Sequence, residues 1–358
     1  MTELTQPERS NLSSVEPPSV QTTSILRKAI VQIGRLLTIA VIVVSIVSLP
    51  ATRFWLSDLL ANLRLQVILA ASFALLWTAA ARTWRQSILI AICLLWHLTF
   101  VVPHVWNATR PQTVQDGPAR LKVMTLNALT RNPRHEAIIA QIREFDADVV
   151  AVLELSSSLA SKLSERLTEE YPHQVLHPMD DGNFGIGLIS RRKLDQVEIF
   201  ELNRPIKSIQ VSCDGFRLIA THPLPPMGAQ LFRSRNEHLQ QLSEHVIESE
   251  TGDSAGTIVM GDFNLTPWSP VFHQFGNDCG LRRAVLGSSL TPTWYAKLDW
   301  FPFGLTLDHV WISPQLECIR YQIGRDVGSD HRAVVVSLAK RSASTTKDAA
   351  LKSPLGAK

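Results

Sequence analysis

Hydrophobic positions follow two different patterns along this chain. Up to about residue 106 they come in long unbroken runs: Ala29–Leu49, Leu65–Ala81 (LQVILAASFALLWTAAA) and Ile88–Val102 (ILIAICLLWHLTFVV). A helix that spans a bilayer needs about 20 mainly apolar residues, with a lower bound near 17. The first run meets that length, the second is adequate, and the third reaches it by borrowing flanking residues as far as Trp106. Gln32 and Arg35 interrupt the first run near one end, where a long side chain snorkels to the interface. None of the runs keeps the polar face of an amphipathic helix packed on a soluble core. The first is also a poor signal peptide: it is long, starts late, lacks a small-x-small cleavage site and is followed by two more. The pattern predicts a membrane region over residues 25–106 with three transmembrane helices.

From Arg120 the texture changes to short strands alternating with helices. Leu121–Leu126, Val149–Leu153, Ile186–Ser190, Val197–Glu201, Ser208–Val211, Phe216–Thr221, Thr257–Met260, Leu307–Ile312 and Ala333–Leu338 read as strands. Arg134–Phe145, Ser158–Glu170 and Phe232–Glu250 carry helical spacing. Many strands with interspersed helices fit an α+β sandwich better than strict βαβ repetition. The polar segments 1–24 and 340–358 read as disordered tails, and 107–119, with its two prolines and a glycine, as a linker.

Composition sharpens this picture modestly. The chain of 358 residues is 45% hydrophobic and 19% charged, as expected for a membrane region joined to a soluble domain. A formal net charge of +3, with Arg191-Arg192-Lys193 and Arg282-Arg283 scattered, gives no concentrated basic face for nucleic acid. The four cysteines form no C-x-x-C pair and read as free buried thiols. Arg27, Lys28 and Arg35 flank the start of the first run, and Arg82 and Arg85 lie between the second and third. The positive-inside rule then leaves the N-terminus in the cytoplasm and everything after the third span outside it, which in a bacterial inner membrane is the periplasmic side. A third run that only lies at the interface would reverse that parity.

The candidate chemistry sits just past the apolar strands. Asn127 follows VMTL, Glu154 follows VVAVL, His222 ends LIATH, Asp262 and Asn264 stand in GDFN, Asp308 and His309 in LDHV, and Asp330 and His331 in GSDHRAVVV. Strand ends are where a rigid scaffold presents side chains to a shared cleft. Carboxylates and amide oxygens suit a hard cation such as Mg²⁺ or Mn²⁺, and histidines suit phosphate binding or proton transfer. In a regular strand His309 points to the face opposite Asp308.

In that order these residues resemble the successive motifs of the endonuclease/exonuclease/phosphatase superfamily, which includes DNase I-like nucleases, abasic-site endonucleases, sphingomyelinases and inositol-polyphosphate phosphatases. The match runs from about Leu121 to Leu338 and implies a four-layer α/β sandwich over residues 120–339. It further implies Glu154 as the principal Mg²⁺ ligand, with Asn127 and Asp330 at or near the metal. Asp262 would orient or deprotonate the attacking water and Asn264 would hold the phosphoryl group. His331 would stabilise the transferring group with Asp308 fixing its ring, and His222 would be the second histidine against phosphate. Two local features bear on substrate: the proline-stiffened HPLPPMG after His222, and the aromatic, nearly uncharged Tyr295–Gly304 (YAKLDWFPFG). The prolines make a stiff loop beside the site, and the aromatic stretch suits an apolar wall or a segment that dips into the bilayer surface, favouring a lipid-like or small organic phosphodiester. The alternatives are a membrane-anchored nuclease with DNA or RNA as substrate, and a non-catalytic binding protein on the same fold. No protein partner is implied.

Overall fold

The computed structural model describes residues 20–109, 120–248, 254–286, 290–296 and 303–341. The expected tails before residue 20 and after residue 341, linker residues 110–119 and residues 297–302 of the aromatic stretch lie outside them.

Four helices open the chain: α1 (Val20–Val47), α2 (Trp55–Asn62), α3 (Arg64–Ala80) and α4 (Trp84–Thr109). Residues 20–24, expected in the tail, are helical, because nothing after Pro18 breaks the backbone ladder that leads into the apolar run. α1 and α4 are each long and apolar enough to cross a membrane. α3 has 17 residues and meets the same test only together with α2, across a 70° bend. The third apolar run is thus one of the two long helices, since α4 extends it in both directions. Val41, Ala71, Ala74 and Ile90 form a buried cluster, in which the two alanines of α3 let the helices approach. Ser87 donates to Thr78 Oγ1 at 3.0 Å, and Ser45 Oγ lies 3.1 Å from His97 Nε2. Close van der Waals packing and interhelical hydrogen bonds can hold apolar helices together even where the hydrophobic effect between them is absent.

From Leu121 the chain runs β1 (Leu121–Asn127), α5 (His135–Phe145), β2 (Val149–Leu153), α6 (Ser157–Leu167), β3 (His173–His177) and β4 (Ile186–Ser190). Then come β5 (Asp195–Leu202), β6 (Ile206–Cys213), β7 (Phe216–Thr221), α7 (Ala229–Glu248), β8 (Gly256–Asp262) and α8 (Pro270–Asp278). The last strands are β9 (Arg282–Arg283), β10 (Trp294–Ala296), β11 (Phe303–Leu305), β12 (Asp308–Ile312), β13 (Leu316–Ile323) and β14 (Val334–Lys340). They form two six-stranded sheets, ordered β13-β14-β1-β2-β4-β3 and β5-β6-β7-β8-β12-β9, beside a β10-β11 ribbon.

Period-two alternation sorts the side chains into layers. Val123, Val149 and Ala151 of one sheet meet Leu218, Ile258 and Val310 of the other. The alternate positions Met124, Val150 and Val152 pack under Ile138 and Ile142 of α5 and Leu163 of α6. On the other side Ile219, Val259 and Trp311 pack under Leu239 and Leu242 of α7 and Phe272 of α8. The result is helices, sheet, sheet, helices. Among the described strand pairs, β1–β2 and β7–β8 are parallel, each spanned by a crossover through α5 or α7. Their C-terminal ends, and the N-terminal ends of antiparallel β12 and β14, therefore share one edge of the sandwich.

Candidate active site

Of the nine residues singled out in the sequence, all but His309 turn their side chains to the cleft at that edge. Asn127 ends β1 and continues the inter-sheet alternation of Val123 and Thr125, fully buried. Glu154 lies one step past β2 and by alternation would face α5 with Val150 and Val152. Its backbone is left-handed instead, with φ of 51°, and the side chain turns to the cleft. There Asn127 Nδ2 donates to Glu154 Oε1 at 2.9 Å, and the Thr130 amide to Oε2 at 3.3 Å. Asn264 has φ of 52°. A non-glycine residue held there costs about 1–3 kcal/mol and persists only where its surroundings enforce it.

Asp262 ends β8 directly opposite Asp308 of β12. Its Oδ1 accepts from the Asn264 amide at 2.9 Å, and its Oδ2 lies 3.3 Å from Asn127 Nδ2, 3.4 Å from His222 Nε2 and 3.6 Å from His331 Nε2. Gly261 before it lets β8 pass close to β7, for a Cβ there would collide with the Thr221 carbonyl. His331 Nδ1 pairs with Asp308 Oδ2 at 2.8 Å, and the His331 amide donates to Ser329 Oγ at 3.0 Å. Asn264 donates its side-chain amide to the Pro223 carbonyl at 3.0 Å. His309 faces the other way, with Nε2 2.8 Å from the Leu265 carbonyl and its ring against Phe272.

These groups are buried, so their charges act strongly on one another. Burial disfavours the His331 imidazolium, but Asp308 and Asp262 outweigh it and lift its pKa to about 10. His222 is likewise raised against burial by its contact with Asp262. Burial pushes Asp262 up, yet His331 and His222 bring its carboxyl down to about 2. The centre is a carboxylate flanked by two histidine rings, of which His331 is cationic at neutral pH and His222 is shifted toward its cationic form. Burial raises Asp308, and His331 opposes it. Behind them His238, on α7, is buried, hydrogen-bonded to Thr221 Oγ1 at 2.9 Å, and pushed down to about 3 by burial.

Two groups of donors bear on a metal. Ligand atoms of Asp262, Asp308 and His331 lie within 4.8 Å of one another. They are already spent on one another, however, as the 2.8 Å Asp308–His331 pair makes plain. Glu154 and Asp330 fit a hard cation better. Both line the cleft, and Asp330 keeps a buried Oδ1 with no partner among the described residues while Trp294 Nε1 holds its Oδ2 at 3.1 Å. Asn127 enters differently from the expectation. Its Oδ1 accepts from the Leu129 amide at 3.1 Å, so its NH₂ faces the carboxylates and bridges Glu154 to Asp262.

The cleft, about 790 Å³, carries this polar cluster at its base and apolar side chains around it, including Phe184, Leu224, Met227 and Leu305. No Lys or Arg is among the described residues lining it. Sequence reading missed several participants. Thr293 Oγ1 receives the Leu307 and Asp308 amides at 2.9 and 3.0 Å, and Trp294 orients Asp330. The TPTW segment upstream of LDHV was their one signal. Leu59 and Asn62, from α2 among the N-terminal helices, also line the cleft, and nothing in the sequence pointed to them.

Comparison with known proteins agrees with this geometry. A family model described as the Endonuclease/Exonuclease/phosphatase family matches residues 124–331. A Neisseria 3' phosphatase, NExo (D146N) bound to product DNA hairpin, has a TM-score of 0.52 at 19% identity, covering 61% of this chain and 99% of that one. D. rerio TDP2 complexed with single-strand DNA product has a TM-score of 0.52 at 18% identity, covering 62% and 99%. An AP endonuclease from Archaeoglobus fulgidus has a TM-score of 0.51 at 15% identity, covering 60% and 98%. At such identities these structures establish the fold alone. No curated protein matches significantly. With the matched segment spanning more than half of its length and a DNase I-like sandwich built around it, this chain belongs to the endonuclease/exonuclease/phosphatase family.

Proposed function

We propose that this protein is a membrane-tethered, divalent-metal-dependent phosphohydrolase that cleaves phosphodiesters bearing apolar substituents through attack of water in line with the leaving group. One observation carries the reading: a carboxylate between two histidines, beside Glu154 and Asp330, at the base of a cleft with apolar walls. Asp262 orients the water. With its pKa near 2 it serves better as a fixed hydrogen-bond acceptor than as a strong base. His331 and His222 donate to the phosphoryl oxygens, Asp308 holds the His331 ring, and Asn264 supports the phosphoryl group. Glu154 and Asp330 hold Mg²⁺ or Mn²⁺, with Asn127 bracing Glu154, and the bound cation supplies neutralisation of phosphoryl charge. Such a reaction needs positioning and charge compensation more than a covalent nucleophile.

Anchoring comes from α1 and α4, with α3 as a third crossing. Arg27 and Arg82 share one end of the bundle, where Trp77 Nε1 donates to the Ile30 carbonyl at 3.1 Å. The catalytic domain contacts the other end. Positive-inside then favours a cytoplasmic N-terminus and a catalytic domain on the periplasmic face of a bacterial inner membrane.

A second reading, a nuclease, draws on the DNA products bound in the Neisseria and D. rerio relatives. The lack of Lys or Arg among the described cleft residues ranks it second, since phosphate neutralisation dominates nucleic-acid affinity. The test uses the full chain in detergent, with bis-p-nitrophenyl phosphate, plasmid DNA and a phospholipid panel as substrates. Hydrolysis should vanish with EDTA, return with Mg²⁺ or Mn²⁺, and fall roughly 100- to 10,000-fold in Asp262→Asn. A folded, metal-loaded protein inert on every substrate would favour a binding protein instead, and preference for plasmid would favour the nuclease.

A further inference from the structure

α2 is an amphipathic helix turned inside out. Its small and polar residues Ser57, Asp58, Ala61 and Asn62 are buried, while Phe54, Trp55, Leu56 and Leu59 are 60%, 38%, 45% and 37% exposed. A helix on a water-soluble surface shows the reverse. The buried side is bonded into the catalytic domain. Asp58 Oδ2 meets Arg235 of α7 at 2.9 Å, both side chains fully buried. Asn62 Oδ1 accepts from the Thr266 amide at 2.7 Å and Thr266 Oγ1 at 2.9 Å, and its carbonyl accepts from Trp268 Nε1 at 2.9 Å. Thr266 lies two residues past Asn264, whose carbonyl takes Arg235 Nη1 at 3.2 Å. Both polar anchors thus reach the loop that carries the phosphoryl-binding asparagine.

The exposed face points to one occupant. α2 sits between α1 and α3 and bends 70° from α3. If α3 crosses the bilayer, α2 lies close to the membrane plane, where an aromatic and apolar face enters the headgroup boundary. Leu59 and Asn62 also line the catalytic cleft. Met227, 78% exposed, lines the same cleft from the stiff Pro225-Pro226 loop. Apolar side chains from two separate segments therefore line the cleft, one of them α2.

We propose that α2 is an interfacial helix forming the membrane-side wall of the active site, with Leu59 as a specificity-determining residue that admits an apolar chain drawn sideways from the bilayer surface. The inference rests on the hydrolase reading above and assigns its substrate class: an amphiphilic phosphodiester held in a membrane. The test compares hexadecyl p-nitrophenyl phosphate in vesicles with methyl p-nitrophenyl phosphate, which share a leaving group, using the full chain reconstituted in those vesicles. Leu59→Gln should lower kcat/KM for the hexadecyl ester, through KM, roughly tenfold or more relative to that for the methyl ester. An unchanged hexadecyl rate, or an equal fall on both esters, overturns the role of α2 while leaving the hydrolase standing. If wild-type protein cleaves neither ester with metal present, the hydrolase reading fails and the inference with it. Independently of activity, a nitroxide on Phe54→Cys, in a chain otherwise free of cysteine, should report oxygen-rich bilayer. Full accessibility to an aqueous relaxant would overturn the placement.

Discussion

At the scale of single residues, the site depends on a few backbone choices that direct side chains across the alternation of the strands. Glu154 reaches the cleft because its φ is positive, and Asp262 because a glycine precedes it where β7 and β8 nearly touch. The Asp308–His331 pair then sets the electrostatics. Asp308 is the first of the charges that raise His331 to about 10, so the ring stays cationic through neutral pH. A raised histidine keeps its proton below that pKa and loses it as pH climbs through it, so activity that needs the imidazolium should persist into the alkaline range. In Asp308→Asn the charge is gone, and the alkaline limb of the kcat/KM profile should move to lower pH. The rate at neutral pH should fall roughly 100-fold or more, as for loss of a group that positions a catalytic acid. A mutant profile that superimposes on wild type would remove His331 from the mechanism.

At the scale of elements, the join between α2 and α7 matters most. A fully buried ion pair gains little over well-packed apolar residues, but breaking one partner strands the other charge, at about 3–5 kcal/mol. Asp58→Ala should therefore lower the thermal midpoint of the full chain sharply, and so should Arg235→Ala. The double change Asp58→Leu/Arg235→Met should recover most of the loss. If the two single losses simply add in the double mutant, the pair is not coupled as its 2.9 Å contact implies. The same join bears on how the enzyme is prepared. A fragment beginning at Arg120 lacks α2, leaving Arg235 without its counterion and Trp268 Nε1 without its acceptor.

At the scale of the whole molecule, the α2 end of the helical bundle meets the sandwich, with Arg53 and Arg64 flanking α2, while Arg27 and Arg82 lie together at the other end. Contacts of Gln66 with the Gly304 carbonyl at 3.3 Å, and of His104 stacked on His273, lie on the same side as the Asp58–Arg235 pair. With three crossings the N-terminus and the catalytic domain lie on opposite sides. Protease added outside bacterial spheroplasts should digest the catalytic domain and spare an N-terminal tag. Digestion of the tag with protection of the domain would reverse the orientation. Cleavage of both, in sealed spheroplasts, would mean an even number of crossings.

Much of this protein is legible in its sequence, because the physics involved is local. Unbroken apolar runs can be read as membrane segments, and short, mostly apolar runs located Val149–Leu153, Ile186–Ser190 and Phe216–Thr221 with the boundaries found in the structure. Polar residues standing past such strands, in a recognisable order, pointed to the cleft and its residues. What was not legible depends on contacts between distant segments. β3 and β13 carry mixed, half-buried patterns that read as neither strand nor helix, and only pairing with β4 and β14 makes them strands. Pro270 just inside α8 was a helix-start signal left unread. The NH₂ of Asn127 faces the carboxylates because the Leu129 amide claims its oxygen, which no motif records. Asp58 and Asn62 stand in the sequence between two apolar runs. Only the folded chain, by burying them against Arg235 and Thr266 and leaving Leu59 on the cleft, makes α2 part of the wall of the candidate site.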